Sequence, residues 1–355
     1  MIAEALALLT LLAPSPAAAQ GFAGLGTDAE GYRVVAPGRE FRFPEDHGAH
    51  PGYRIEWWYV TAVLEGPEGG DYGVQWTLFR QALTPDPAQD GWSAPQVWMA
   101  HAGVTWDGGH LAAERFGRGG TGQAGAVAQP FRAWLDDWRF ESLSRDQEAD
   151  WSPLRLAAHG EGFAYDLTVT QEGPFVLHGQ GGYSQKSRRP DQASYYVSNP
   201  FLTVAGTLTI EGREIPVTGR AWLDREWSSQ PLDPDQTGWD WFSLHLPEGE
   251  KLMAFRLRSE DGSEFRSGSW IEADGTLTPL TGDELSLRPL GWTERPDGRR
   301  APTDWALEVP GRGLSVRARA VQPDAWMDLS VPYWEGPVRF EGSHEGRGYL
   351  EMTGW

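Results

Sequence analysis

The 355-residue chain has no cysteine, which excludes disulfides, thiolate metal sites and a cysteine nucleophile. It has no run of lysines and arginines, and 50 acids against 30 bases leave a formal charge of −20. Nucleic acids and anionic membrane surfaces need a basic footprint, so neither is an expected partner. No apolar run approaches the roughly 20 residues of a membrane-spanning helix, and no stable membrane insertion is expected. Phosphate-loop, dinucleotide and Gly-x-Ser-x-Gly signatures are also missing, and no cofactor is expected. His47 and His50 have a spacing seen in metal sites, but they sit in a Gly/Pro-rich stretch without an evident third ligand, so no metal site is assigned.

What is present is turn chemistry and tryptophan: 44 glycines, 26 prolines and 19 tryptophans. The indoles either fill large β cores or line a cavity for an apolar ligand. Residues 1–19 carry a short apolar run followed by small residues, which reads as a signal peptide, although its start lacks a basic residue; the expected location is periplasmic or secreted. Residues 20–39 read as a flexible N-terminal segment. From residue 40 onward, short alternating segments are separated by turns such as Asp107-Gly108-Gly109, Glu211-Gly212 and Asp274-Gly275. This pattern predicts an all-β protein of sandwich or barrel type. Residues 124–137 are the best helix candidate, interrupted by Pro130. The length admits two domains, expected at 40–208 and 209–355.

The densest chemistry lies in Trp222-Leu223-Asp224-Arg225-Glu226-Trp227 and Gly238-Trp239-Asp240-Trp241-Phe242. In a strand, alternate side chains share a face. Trp222, Asp224 and Glu226 then share one face, with the two carboxylates roughly 6–7 Å apart. That spacing permits acid–base work, and it equally permits ion pairs with Arg220, Arg80 or Arg54. Asp240 falls on the apolar face of Phe242 and Leu244, where a carboxylate must be paired, protonated or used, which makes it a candidate general acid. His101 stands in a strand and is a candidate inward-facing residue. Ser194, Tyr195 and Tyr196 offer a wall or hydroxyl donors. An earlier segment, Glu56-Trp57-Trp58-Tyr59 followed by a turn and Trp76 to Arg80, echoes the acid–Trp pattern and suggests two related halves.

These segments carry a resemblance. His50-Pro51-Gly52-Tyr53-Arg54-Ile55-Glu56-Trp57-Trp58-Tyr59, Gly73-Val74-Gln75-Trp76-Thr77-Leu78-Phe79-Arg80, the two stretches above, Tyr333-Trp334-Glu335-Gly336 and Gly348-Tyr349-Leu350-Glu351-Met352-Thr353-Gly354-Trp355 resemble the signatures of AttH-like secreted proteins and carotenoid 1,2-hydratases. The resemblance covers about 40–355 and implies two tandem lipocalin-like antiparallel β-barrels, which enclose apolar cavities. It also implies a lipid, polyene or isoprenoid-like ligand and an association with an ABC-type transporter. Where the family's chemistry is known, water adds to an isolated double bond of an acyclic carotenoid. That reaction needs a general acid (Asp224, Glu226 or Asp240) and indole faces beside the developing cation. Glu56, Trp57, Tyr59, Trp76, Arg80, His101, Trp222, Trp227, Trp239 and Trp241 are the implied ligand-binding residues. Arg225 stands where the carotenoid hydratases carry a histidine, and arginine does not exchange a proton at neutral pH, which leads to the secreted branch. Three readings follow: a secreted binder of an apolar ligand, a hydratase or hydrolase acting on a hydrophobic substrate, and, behind both because a barrel interior suits a glycan chain poorly, carbohydrate binding or cleavage.

Overall fold

The computed structural model describes residues 29–86, 90–144 and 151–355. The segment read as a signal peptide lies outside them. Thirteen strands form a first sheet: β1 (Ile55–Glu65), β2 (Asp71–Ala82), β3 (Gln96–Trp106), β4 (Gly109–Arg118), β5 (Ala124–Val127), β6 (Arg132–Leu135), β7 (Trp138–Ser142), β8 (Leu154–Gly160), β9 (Phe163–Gln171), β10 (Val176–Leu177), β11 (Tyr183–Gln185), β12 (Ala193–Ile210) and β13 (Arg213–Ser228). Ten form a second: β14 (Gln236–His245), β15 (Lys251–Ser259), β16 (Glu264–Ile271), β17 (Leu277–Thr281), β18 (Ser286–Glu294), β19 (Arg300–Val309), β20 (Leu314–Ala320), β21 (Trp326–Met327), β22 (Tyr333–Gly342) and β23 (Gly346–Met352).

All pairings are antiparallel, in the orders β4-β3-β2-β1-β13-β12-β9-β8-β7-β6-β5 and β17-β16-β15-β14-β23-β22-β20-β19-β18, with the short β10, β11 and β21 set on the flanks. The first sheet is a nearly closed barrel and the second a half-barrel, a tandem lipocalin-like fold. Period-two patterning builds it. In β9, Phe163, Tyr165, Leu167 and Val169 point into the barrel while Asp166 and Thr168 face outward. The turn expected at Glu211-Gly212 joins β12 to β13 with φ of 51° and 81°, the left-handed pair a tight hairpin requires.

Three expectations change. Residues 124–137 form the hairpin β5–β6 and no helix, because Ala124, Ala133 and Leu135 are drawn into the barrel core. The boundary expected at 208/209 falls inside the β12–β13 hairpin, and the sheet changes between Ser228 and Gln236. The two acid–Trp segments are also not equivalents in two halves. They are neighbours in one sheet, with Glu56 paired to Trp227 and Trp57 to Glu226.

Each sheet seals its own core. Trp58, Trp76, Trp138, Phe140 and Leu223 fill the first barrel, and Phe242, Trp305, Trp334, Phe340 and Leu350 the second. A third cluster, which includes Tyr59, Tyr196, Trp222, Trp241, Phe255 and Tyr349, lies where the outer faces meet. The approach is close: a Cβ at Gly73 would lie 2.5 Å from Pro337 Cδ. Arg347 rivets the contact rim through Glu65 (2.8 Å) and Asp71 (2.9 Å).

Gly73→Val should therefore wedge the barrels apart at a cost of about 1–3 kcal/mol. The check is urea unfolding combined with proteolysis of the connecting segment 229–235. Unchanged stability and cleavage would show that the close approach carries no weight.

Candidate active site between the barrels

A cavity of about 180 Å³ lies in the seam between the two sheets. β1 and β2 contribute Trp57, Tyr59 and Phe79, and β14 and β15 contribute Trp239, Trp241, Phe255 and Leu257. Its lining takes no residue from the two hydrophobic cores, so this cavity lies outside them and not inside a barrel, where one was expected. Most of its wall is carbon, and the polar atoms fall into two groups.

The first group is on the first barrel. Asp224 accepts hydrogen bonds from Tyr196 Oη (2.8 Å), Trp222 Nε1 (2.7 Å) and Ser198 Oγ. Tyr196 Oη in turn accepts from Trp241 Nε1 of the second barrel at 3.0 Å. Burial outweighs these donors and pushes the Asp224 carboxyl up to about 7, with nearby Glu226 adding to the rise. Glu226 pairs with Lys186 Nζ at 2.9 Å and accepts from Ser194 Oγ. The Lys186 ammonium sits 4.5 Å above the Tyr196 ring and 4.6 Å from that of Phe255.

The second group is on the half-barrel. Burial pushes Glu351 up to about 7, although Trp239 Nε1 donates to it at 2.5 Å and the Tyr59 hydroxyl is hydrogen-bonded to it. Behind the wall its register partner Glu335 is held well above the usual range by burial and by Glu351, and it receives the Tyr59 hydroxyl at 2.6 Å. Two protonatable carboxyls, one from each barrel, therefore face a single apolar space.

The residues singled out from the sequence divide. Glu56, Trp57, Tyr59, Arg80, His101, Asp224, Glu226, Trp239 and Trp241 line the cavity. Glu56 is no proton donor: burial raises its pKa, but Arg80, His50 and Arg225 outweigh that and hold the carboxyl well below its ordinary value. His101 bonds Tyr333 Oη at 2.9 Å, and burial pushes it down to about 3, so the ring is neutral.

Asp240 is misassigned as a general acid. It points away from the cavity into the second sheet, where it pairs with Arg256 (2.7 Å) and Arg258 (3.3 Å) and accepts from Trp355 (2.7 Å). Trp76 is interior core, Trp222 stands behind Asp224, and Trp227 stacks on His50 at 3.9 Å, so none of the three is a wall. His47 stacks on Trp151 while His50 bridges Asp46 and Glu56, so the two histidines do not converge. Sequence reasoning passed over Glu351, Glu335 and Lys186. The signal for both glutamates was alternation, since each follows a core residue (Trp334, Leu350) that fixes the opposite face.

The family described as AttH-like matches residues 34–355. The chain belongs to the AttH-like family. A solved structure assigned to AttH from Nitrosomonas europaea is 35% identical, with a TM-score of 0.80 over 91% of this chain and 99% of that one. Kievitone hydratase from Nectria haematococca, at 17% identity, shares the fold with a TM-score of 0.65 over 90% of this chain and 93% of its own. No curated protein sequence matched.

Two stability predictions follow from the charges. Between about pH 4 and 7 the folded chain keeps protons on Asp224 and Glu351 that the unfolded chain releases. Stability should thus be greatest at the acid end of that window and fall as pH rises through it, by on the order of 3 kcal/mol per carboxyl. Calorimetry of wild type against Asp224→Asn/Glu351→Gln tests this, and an equal slope in both would refute it. Asp240→Ala should cost about 3–5 kcal/mol by stranding two arginines, yet leave apolar-dye uptake in the cavity unchanged.

Proposed function

We propose that this protein binds an apolar, unsaturated small molecule between its barrels and adds water to it by carboxylic-acid catalysis. The observation that carries the reading is the pair Asp224 and Glu351, both pushed up to about 7 in one cavity walled by indoles. A carboxyl with a pKa near the working pH is suited to give a proton and to regain it. Protonation of a double bond leaves a carbocation, which the faces of Trp57, Trp239 and Trp241 stabilise. Water then attacks, its proton passes to the Glu226 carboxylate, and an alcohol forms with the atoms of one water added. The packed barrel interiors favour the seam as the place for this chemistry. The fold shared with a protein named as a hydratase is in keeping with it, but at 17% identity it speaks for the fold alone.

A second reading, binding without turnover, draws on the apolar lining and the modest volume. Export to the periplasm or beyond is supported by residues 1–19, and a partnership with an ABC-type exporter rests on the family resemblance.

The test is incubation with a small trisubstituted alkene in heavy water, followed by mass spectrometry. Wild type should form the deuterated tertiary alcohol. Asp224→Asn or Glu351→Gln should lower the rate by about 10²–10⁴-fold, the usual loss of a general acid, with the alkene still bound. Binding without any alcohol in wild type would leave the carrier reading.

A further inference from the structure

Glu335 is fully buried and is not part of the cavity wall, and its Oε1 has no hydrogen-bond partner. A carboxyl is costly in such a place unless it is used. Its neighbours form a line. Tyr59 Oη stands between Glu335 Oε2 (2.6 Å) and Glu351, which it also hydrogen-bonds. The Tyr333 hydroxyl also hydrogen-bonds the Glu335 carboxyl, and Tyr333 Oη lies 2.9 Å from His101 Nδ1. His101 Nε2 is buried without a hydrogen-bond partner and faces Glu114 Oε2 at 3.9 Å. Glu114, the register partner of His101 on β4, is 24% exposed and is steadied by Ser330 Oγ at 2.6 Å.

We propose that His101, Tyr333, Glu335 and Tyr59 form a proton path connecting Glu351 to solvent at Glu114 while an apolar ligand fills the cavity. The inference rests on the reading of Glu351 as the acid. Once the ligand has displaced cavity water, a spent Glu351 carboxylate has no bulk water beside it, and the path supplies the missing proton. A proton from Glu114 reaches His101 Nε2, and the ring releases the one on Nδ1 to Tyr333. Tyr333 passes its own to Glu335, Glu335 to Tyr59, and Tyr59 to Glu351. Each hop breaks one O–H or N–H bond and makes another, so the net change is one proton moved. Burial keeps the imidazolium out of reach, and the ring therefore relays by switching the nitrogen that carries hydrogen. The 3.9 Å interval closes by a rotation of the Glu114 side chain or by one off-axis water. Tyr59, Tyr333, His101 and Glu335 are positioning residues here, because the group meeting the ligand is Glu351.

The path can be read without turnover. In the full chain with decane filling the cavity, a jump from pH 6 to pH 8 ionises Glu351, and stopped-flow infrared spectroscopy follows its carboxyl band, assigned by its loss in Glu351→Gln. Tyr333→Phe and Glu114→Gln should slow that ionisation by about ten-fold, equivalent to about 1.4 kcal/mol of barrier. The end point should stay that of wild type, and Glu114→Gln should also melt as wild type does. Without decane, water reaches Glu351 directly and all rates should converge. Unslowed ionisation in both filled variants would overturn the path; if Tyr333→Phe fails to fold, the surface variant Glu114→Gln decides alone. Hydration with unslowed ionisation would sink the path and spare the proposed reaction. Slowed ionisation in a protein that hydrates nothing would do the reverse.

Discussion

The constraint on which the rest depends is that the central strands are buried on both faces. β1 and the second half of β13 expose almost nothing to water, and β14 is nearly as enclosed. An ordinary barrel strand turns one face inward and wets the other. Here the second face is covered by another barrel, so strand alternation sorts residues between two dry environments. Leu223 goes to a core, Asp224 to the seam, and the same split separates Asp240 from Trp241.

Within the seam, burial alone does not set the charge state; the partners do. Glu56 and Glu351 are both fully enclosed and both touch the cavity. Glu56 has two guanidinium groups and a histidine against it, and its charged form prevails. Glu351 has only neutral donors and another carboxyl nearby, and desolvation dominates. One cavity thus holds a fixed anion at one place and protonatable acids at others, which is the separation that acid–base chemistry needs.

Much of this was legible before any coordinates. Turn signals and period-two patterning led to an all-β chain, and the C-terminal motifs led to the family and to tandem barrels. Strand alternation also placed Asp224 and Glu226 on one shared face. Asp240 went astray because alternation tells which residues share a face but not which face meets a cavity, and the arginines that neutralise it, Arg256 and Arg258, lie on the next strand. Glu335 and Glu351 were hidden for a similar reason. Each looks like an ordinary strand glutamate until a second sheet covers it, and that covering is set by contacts such as Gly73 against Pro337, across more than 250 residues of chain. The second barrel also begins later than expected, because Arg213–Ser228 is as good a first strand as a last one until its partners are known.

The sealing of the two cores has a consequence for how such a molecule can change over evolutionary time. Among the described residues, the apolar side chains that form the two hydrophobic cores are not those that line the cavity. Substitutions at the seam can alter what the space accepts without disturbing the packing that makes each barrel fold. The two halves act as a two-part mould whose inner surfaces can be recut while its frame is kept, and divergence in ligand can then outpace divergence in architecture.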